Sequence, residues 1–268
     1  MSLVPRLPPH AEATIHAFLR AQVESAEARG VVLGLSGGID SALAARLARD
    51  SLGPSRVLGV LLPDSSYPAA LAAETEEYAR GLGIEHRTIP IEPVVAAFRA
   101  LLPEQTDRTT TGNTKARIRM IVWYAIARET GRLVLGTGNK SELLLGYFTK
   151  YGDGGADLLP LGDLYKTEVR ELAERLGLPA AIRDRAPTAG LWEGQTDEGE
   201  LGVPYSAIDQ VLRGLEELRD PAEIARISGI PLETVRQLEA RVARNRHKRR
   251  PPPIPKLSLR TIGLDWRD

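Results

Sequence analysis

Apolar positions along this chain follow two periods in turn. Residues 12–29 carry apolar side chains at helical spacing and end at Gly30. The run that follows, Val31-Val32-Leu33-Gly34-Leu35, has no polar position, as a strand buried on both faces requires. The same succession repeats, with helix at 39–50 and 68–81, strand at 56–62 and 84–91, and a shorter helix from 92 to about 102. The polar stretch 103–112 reads as a loop, and Asn113 is placed to cap a long helix reaching Thr130. A strand at 132–135 follows, and Asp163 is placed to cap a further helix that Gly177 and Pro179 stop after Leu176.

Strands alternating with helices predict an α/β fold, a doubly wound and mostly parallel sheet with helices on both faces. Ligands of such sheets bind beyond the carboxyl ends of the strands. Residues 221–244 read as a helical hairpin and run into the basic segment RNRHKRR, a helical C-terminal extension over 221–250. No repeat and no linker interrupts the chain, so a single domain over 1–268 is expected. In the long helix the apolar residues between Ile118 and Ala127 surround the axis, so something must cover more than one side. A homodimer interface there is the expectation.

Composition narrows the chemistry. The 268 residues balance 35 Lys+Arg against 35 Asp+Glu, and 43% are apolar, which excludes general disorder. No apolar run of bilayer length and no signal-peptide core appear, so a cytoplasmic protein without a membrane partner is expected. Zero net charge argues against general coating of nucleic acid. The absence of cysteine excludes disulfides, thiolate metal sites and thiol nucleophiles, and with them a cysteine-type glutaminase within this chain. Of the 35 basic residues only 6 are lysine, and four of these, Lys115, Lys140, Lys150 and Lys166, fall close together. Where arginine is otherwise used throughout, such lysines point to sites that need a compact charge.

The motif Leu35-Ser36-Gly37-Gly38-Ile39-Asp40-Ser41 joins the first buried strand to a helix. Successive glycines let backbone N–H groups point inward, the helix N-terminus adds its dipole, and two serine hydroxyls add donors. The result is a cradle for pyrophosphate. It has no lysine and no GxxxxGK[ST] pattern, so it is not a loop of the Walker type. SGGxDS resembles the loop of the ATP pyrophosphatase superfamily, whose members cleave ATP between its α and β phosphates to adenylate a substrate. Residues 136–167, which include YFTKYGDGGAD, are similar to the ammonia-dependent NAD+ synthetase family. The segments NTKARIRM at 113–120, PTAGLWEGQTD at 187–197, ELG at 200–202 and HKRR at 247–250 match the same family. The resemblance covers roughly residues 12 to 255 and implies a Rossmann-like ATP pyrophosphatase fold.

That resemblance implies amidation of deamido-NAD+ with ammonia at the expense of ATP, giving NAD+, AMP and pyrophosphate. It implies that Ser36, Gly37, Gly38, Ile39, Asp40 and Ser41 hold ATP together with Thr137, Lys166 and Thr188, and that Asp40 and Glu142 hold Mg2+. Arg117, Lys150, Asp157, His247 and Lys248 match positions that bind deamido-NAD+. Asp153, with Ser36, matches the groups near the incoming ammonia, although Tyr-Gly-Asp-Gly-Gly is also an ordinary turn sequence. Residues 186–204, punctuated by four glycines, are expected to close over substrates. Two other readings exist. One is another adenylating enzyme of the superfamily, which aminates a GMP precursor or modifies tRNA; the other is a helix-turn-helix nucleic-acid binder at 221–244.

Overall fold

The computed structural model describes residues 2–102, 104, 107–192 and 194–262. Its first half is a βα succession of short strands, apolar except for one edge strand, the polar Glu85-His86-Arg87-Thr88. It runs α1 (Ala11–Ser25), β1 (Val31–Gly34), α2 (Ile39–Leu52), β2 (Val57–Leu61), α3 (Ala69–Leu82), β3 (Glu85–Thr88), α4 (Glu92–Leu101), α5 (Arg108–Thr130) and β4 (Leu133–Leu135). The second half is helical, with α6 (Lys140–Leu145), α7 (Lys166–Arg175), α8 (Ala180–Arg183), α9 (Asp197–Leu201), α10 (Tyr205–Glu216), α11 (Pro221–Ser228) and α12 (Leu232–Arg244).

The sheet has the order β3-β2-β1-β4, and all its pairs are parallel, with Val31 opposite both Val57 and Leu133. Alternation along the strands divides the core. Val31 and Leu33 join α1, α2 and α7 on one face, whereas Val32, Leu58 and Val60 join α4 and α5 on the other. A third cluster, outside the sheet, packs Leu145 with Tyr205, Ile208, Val211, Ile224, Val235 and Leu238 from α10, α11 and α12. The hairpin α11–α12 therefore buries its apolar stripe against α6 and α10. Asp220 caps its first helix by accepting from Ala222 N at 2.8 Å, and Gly229 ends it at φ +73°.

Chain order reverses between β1 and β4, because β2 and β3 lie on one side of β1 and β4 on the other. The connections leaving those two central strands diverge at that point and open a crevice at their carboxyl ends. The loop 35–38 after β1 and the turn 136–139 after β4 flank it.

Two helix starts differ from the sequence expectation. The long helix begins at Arg108 rather than at Asn113, with the Asp107 carboxylate accepting from Thr110 N at 2.8 Å. Helix α7 begins at Lys166, two residues after the expected start at 164, and its N-cap is Tyr165, whose N–H donates to the Glu168 carboxylate at 2.8 Å. Asp163 instead pairs with Lys140 at 3.0 Å. Around α5, Ile118, Ile126 and Ala127 are buried, and the Trp123 ring lies against Gly34, where a Cβ would come within 2.2 Å of it. Ile121 stays 62% exposed, so the sheet covers one side of the helix and leaves an apolar edge open.

Candidate active site

β1 ends at Gly34, and the N–H of Leu35 still bonds to Val60 O at 3.0 Å. The chain then turns through Ser36, Gly37 and Gly38 into α2. Gly37 stands at φ +75°, and a Cβ there would lie 2.6 Å from Leu71 Cδ1 and 2.8 Å from Thr75 Oγ1. Conformation and space both demand glycine. The serines brace the turn: Ser41 Oγ donates to Gly38 O at 3.0 Å and accepts from Ser36 N at 3.2 Å, while Ser36 Oγ accepts from Gly38 N at 3.3 Å. From outside, Tyr67 donates to Ser36 O at 3.0 Å and Arg185 to Gly37 O. No side chain caps α2, so its first N–H groups remain available to an anion at the crevice.

Three charged side chains from three helix starts meet beside this loop. Asp40 sits in the first turn of α2, Glu142 in the first turn of α6, and Lys166 is the first residue of α7. Lys166 is 1% exposed and donates to both carboxylates, to Asp40 Oδ2 and to Glu142 Oε1 at 3.4 Å. Asn139 joins the group from the cap of α6. Its Oδ1 accepts from Glu142 N at 3.0 Å, its N–H donates to Glu142 Oε2 at 3.1 Å, and its Nδ2 donates to Asp40 Oδ1 at 2.9 Å. The Tyr205 ring lies 5.5 Å from the Lys166 amine.

Burial alone would lower the Lys166 pKa, but Asp40 and Glu142 more than reverse it, so the amine stays charged. For Glu142, burial raises the pKa against the pull of Lys166, and the neighbouring Asp40 and Asp197 add to the rise. Asp197, buried at the start of α9, accepts from Tyr205 OH at 3.3 Å, and burial raises its pKa too.

A second group of expected residues forms a chain of contacts away from this cluster. Arg117 Nε donates to Lys150 O at 3.3 Å, Lys150 Nζ donates to His247 O at 3.0 Å, and Lys248 Nζ donates to Gly146 O at 2.7 Å and Phe148 O at 2.9 Å. Asp157 stands apart, accepting from Tyr124 OH at 3.0 Å and Val134 N at 2.8 Å. Asp153 accepts from Thr149 N at 2.8 Å and so staples the turn it lies in. Among the described residues, no hydrogen bond joins Asp153 to Ser36. Thr137 follows β4 in the turn 136–139 and is half-buried, and Thr188 is exposed, its Oγ1 accepting from Gly190 N at 3.1 Å.

The described part of 186–204 is held against α5. Leu191 O accepts from Lys115 Nζ at 3.3 Å, Arg108 lies 5.1 Å over the Trp192 ring, and Leu191 packs on Gly112, where a Cβ would come within 2.9 Å of it. Lys115, expected only as one of the clustered lysines, is buried here and pairs with Asp64 at 3.2 Å. Asn139, Asp197 and Tyr205 were not foreseen. For Asn139 a signal exists, because Asn-x-x-Glu ahead of three leucines is a capping-box pattern; the other two become neighbours of the site only through tertiary folding.

Residues 12–252 match the family model described as NAD synthase. The chain belongs to the NAD synthase family. A protein of Methanosarcina acetivorans named NH(3)-dependent NAD(+) synthetase is 50% identical over 243 residues, covering 90% of this chain and 95% of that one. A protein of the same name from Thermococcus kodakarensis is 47% identical over 90% of this chain and 95% of its own. Among solved structures, an NH3-dependent NAD synthetase from Campylobacter jejuni in complex with the nitrate ion superposes with a TM-score of 0.78 at 32% identity, over 92% of this chain and 97% of that one. An NMN synthetase from Francisella tularensis superposes with a TM-score of 0.83 at 37% identity, over 94% of this chain and all of that one. The parallel α/β fold is thus the fold of its family, and the shared region takes in both the Ser36 loop and the basic segment after α12.

Proposed function

We propose that the crevice between β1 and β4 amidates deamido-NAD+ with ammonia in two steps, and that the Asp40–Glu142–Lys166 cluster is its phosphate end. Membership of the family makes the chain an ATP-dependent amidating ligase that carries out the final step of NAD+ biosynthesis. In the first step the nicotinate carboxylate oxygen attacks the α-phosphorus of ATP. The bond from that phosphorus to the bridging oxygen breaks, and pyrophosphate leaves with the electron pair. In the second step the ammonia lone pair attacks the acyl carbon, AMP departs, and the nitrogen loses a proton.

The observation that carries this reading is the buried Lys166 amine beside an uncapped glycine turn. A cation at the first position of a helix opposes the helix dipole, and it is tolerated here because carboxylates surround it. Departing pyrophosphate would take the free N–H groups at the start of α2 and the Lys166 charge together. Thr137 and Thr188 flank the nucleotide in this scheme. Arg117, Lys150, Asp157, His247 and Lys248 receive deamido-NAD+, with Lys150 and His247 already linked at 3.0 Å. Asp153, with Ser36, is assigned to the ammonia side.

Mg2+ fits the donors present. Asp40 and Glu142 are hard oxygen donors that already converge on one cation, the Lys166 amine. Among the described residues no cluster of three or more metal-ligating side chains forms, so phosphate oxygens and water would complete the shell. When bound, the ion neutralises charge on the phosphates. We further propose a homodimer built on the open apolar edge of α4 and α5, where Leu101 is 76% exposed and Ile121 62%. No described helix is long and apolar enough to cross a membrane, and the cysteine-free chain suits the cytoplasm, where we place it.

The reading is tested by following AMP with ATP, Mg2+ and ammonium while the carboxylate substrate is varied. AMP formation with deamido-NAD+, and none with a GMP precursor, is the expected result. Nicotinic acid mononucleotide belongs in the same panel, because one similar structure is named an NMN synthetase. Faster turnover with the mononucleotide would move the proposed substrate to the smaller acid.

A further inference from the structure

Glu142 and the buried Lys166 lie on separate helices, twenty-four positions apart in the chain. What holds those helix starts in register is a side chain from a third helix. Asp209 of α10 is 0% exposed, and both its oxygens are used. Oδ1 accepts from Ser141 Oγ at 2.5 Å, and Oδ2 accepts from Thr167 N at 2.9 Å. Ser141 Oγ in turn accepts from the backbone N–H of Lys166 at 2.9 Å. Lys140 N adds a bond to Leu164 O at 2.8 Å.

We propose that Asp209, acting through Ser141, is a positioning residue for the amidation reaction: it clamps the starts of α6 and α7 together, so that the Glu142 carboxylate and the Lys166 amine are presented to the phosphates at a fixed separation. Nothing about Asp209 requires contact with substrate. Its oxygens face adjacent N–H and O–H donors of the helix starts; burial raises its pKa, against the bonds from Ser141 and Thr167 and the Lys166 charge nearby.

Several features distinguish a clamp from ordinary core packing. A buried carboxylate is costly, and an apolar residue of similar size would pack this third cluster at least as well. Each donor it serves belongs to a free first-turn group, N–H of Lys166 by way of Ser141 and N–H of Thr167 directly, which would otherwise lack a partner. The bonded residues, Ser141, Lys166 and Thr167, immediately adjoin or include the groups that make the cluster. Shifts of about 1 Å at such groups lower rates by about a hundredfold in enzymes that work by alignment.

The inference rests on the functional reading above, and its test separates the two. Ser141→Ala removes the central hydroxyl, Asp209→Asn keeps the size and removes the charge, and Val235→Ala opens a cavity in the same cluster with no link to the clamp. The first readout is acylation of the Lys166 amine by acetic anhydride in the substrate-free protein, located by mass spectrometry. The second is kcat against the KM for deamido-NAD+. Labelling at least 5-fold faster in Ser141→Ala and Asp209→Asn, with kcat down at least 10-fold and KM within 3-fold, is expected; Val235→Ala should lower Tm yet leave labelling and kcat within 2-fold of the parent. Unchanged Lys166 labelling in Ser141→Ala overturns the proposal, and so does equal labelling in Val235→Ala. If Asp209→Asn does not fold, Ser141→Ala decides alone. Failure of the parent protein to amidate deamido-NAD+ would refute the functional reading, while the labelling comparison would still judge the clamp.

Discussion

Lys166 is the residue on which the electrostatics turn. Its amine is sealed between Asp40 and Glu142, with the Tyr205 ring 5.5 Å away, so a charge placed against its own helix dipole is compensated on several sides. Replacing Asp40 with Asn removes one of these carboxylates and one of the proposed Mg2+ donors. AMP formation should fall by about a hundredfold or more, as loss of a charge-stabilising group at such a centre does, with the circular dichroism spectrum unchanged. A second buried group gives a pH prediction. Asp64 is 1% exposed at its side chain; burial raises its pKa, but bonds from Ser66 and the charges of Arg119 and Lys115 outweigh it and bring the value below the usual carboxylate range. A carboxyl with a lowered folded-state pKa contributes stability that is present above its unfolded value and lost as pH falls through the folded value. Tm of the parent should therefore drop as pH is taken below about 4. Asp64→Asn should be less stable at pH 7 and show a flatter decline in acid, and a decline as steep as the parent's would remove Asp64 from the account.

At the scale of elements, the helix starts bring Asp40, Glu142 and Lys166 together, and they are also where sequence reading and structure diverge. Whereas the edge strand β3 is polar, β1, β2 and β4 were legible because strands covered on both faces demand uninterrupted apolar runs such as Val31-Val32-Leu33. The first turn of α5 was not. Thr109-Thr110-Thr111-Gly112 combines β-branched residues with glycine, a poor helical composition, yet it is helical, with the Asp107 carboxylate capping Thr110 N at 2.8 Å. Gly112 has a further reason to be there, since Leu191 rests on it. α6 is only six residues long, too short for a period to declare itself, and Asp209 lies sixty-eight positions from the Ser141 it serves. The loop motif around Gly37 and the Asn139 capping box were visible from local sequence, whereas Asp197, Tyr205 and Asp209 owe their positions to tertiary folding. The contact at Gly112 yields its own test. Gly112→Val has no backbone penalty from positive φ but would push Leu191 away, freeing the segment 186–204. Limited proteolysis should cut that segment about tenfold faster than in the parent, and AMP should form in excess of NAD+ as water reaches the adenylate. Equal cleavage and matched products would mean that the Leu191 contact does not hold the segment closed.

For the whole molecule, three apolar clusters share the work. Two cover the faces of the sheet, and the third, built by α10 to α12, carries the clamp residue and backs the helix starts from behind. The helical hairpin that resembles a nucleic-acid motif in sequence spends its apolar stripe on this packing. An apolar edge stays open on α4 and α5, where Val94, Leu101 and Ile121 are exposed. If two copies meet there, Ile121→Asp combined with Leu101→Asp should convert a dimer to a monomer in light scattering after gel filtration, and a parent that is already monomeric at micromolar concentration would contradict the interface. The family fold thus sets the crevice, and the Asp40–Glu142–Lys166 charges stand at its mouth.

The most direct measurement of the central claim uses deamido-NAD+ carrying oxygen-18 in its nicotinate carboxylate, with ATP, Mg2+ and ammonium, followed by mass analysis of the products. Attack of the carboxylate on the α-phosphorus within the crevice transfers one labelled oxygen to AMP, in equal amount to NAD+ formed. Label that appears in pyrophosphate or phosphate, with none in AMP, would contradict the account.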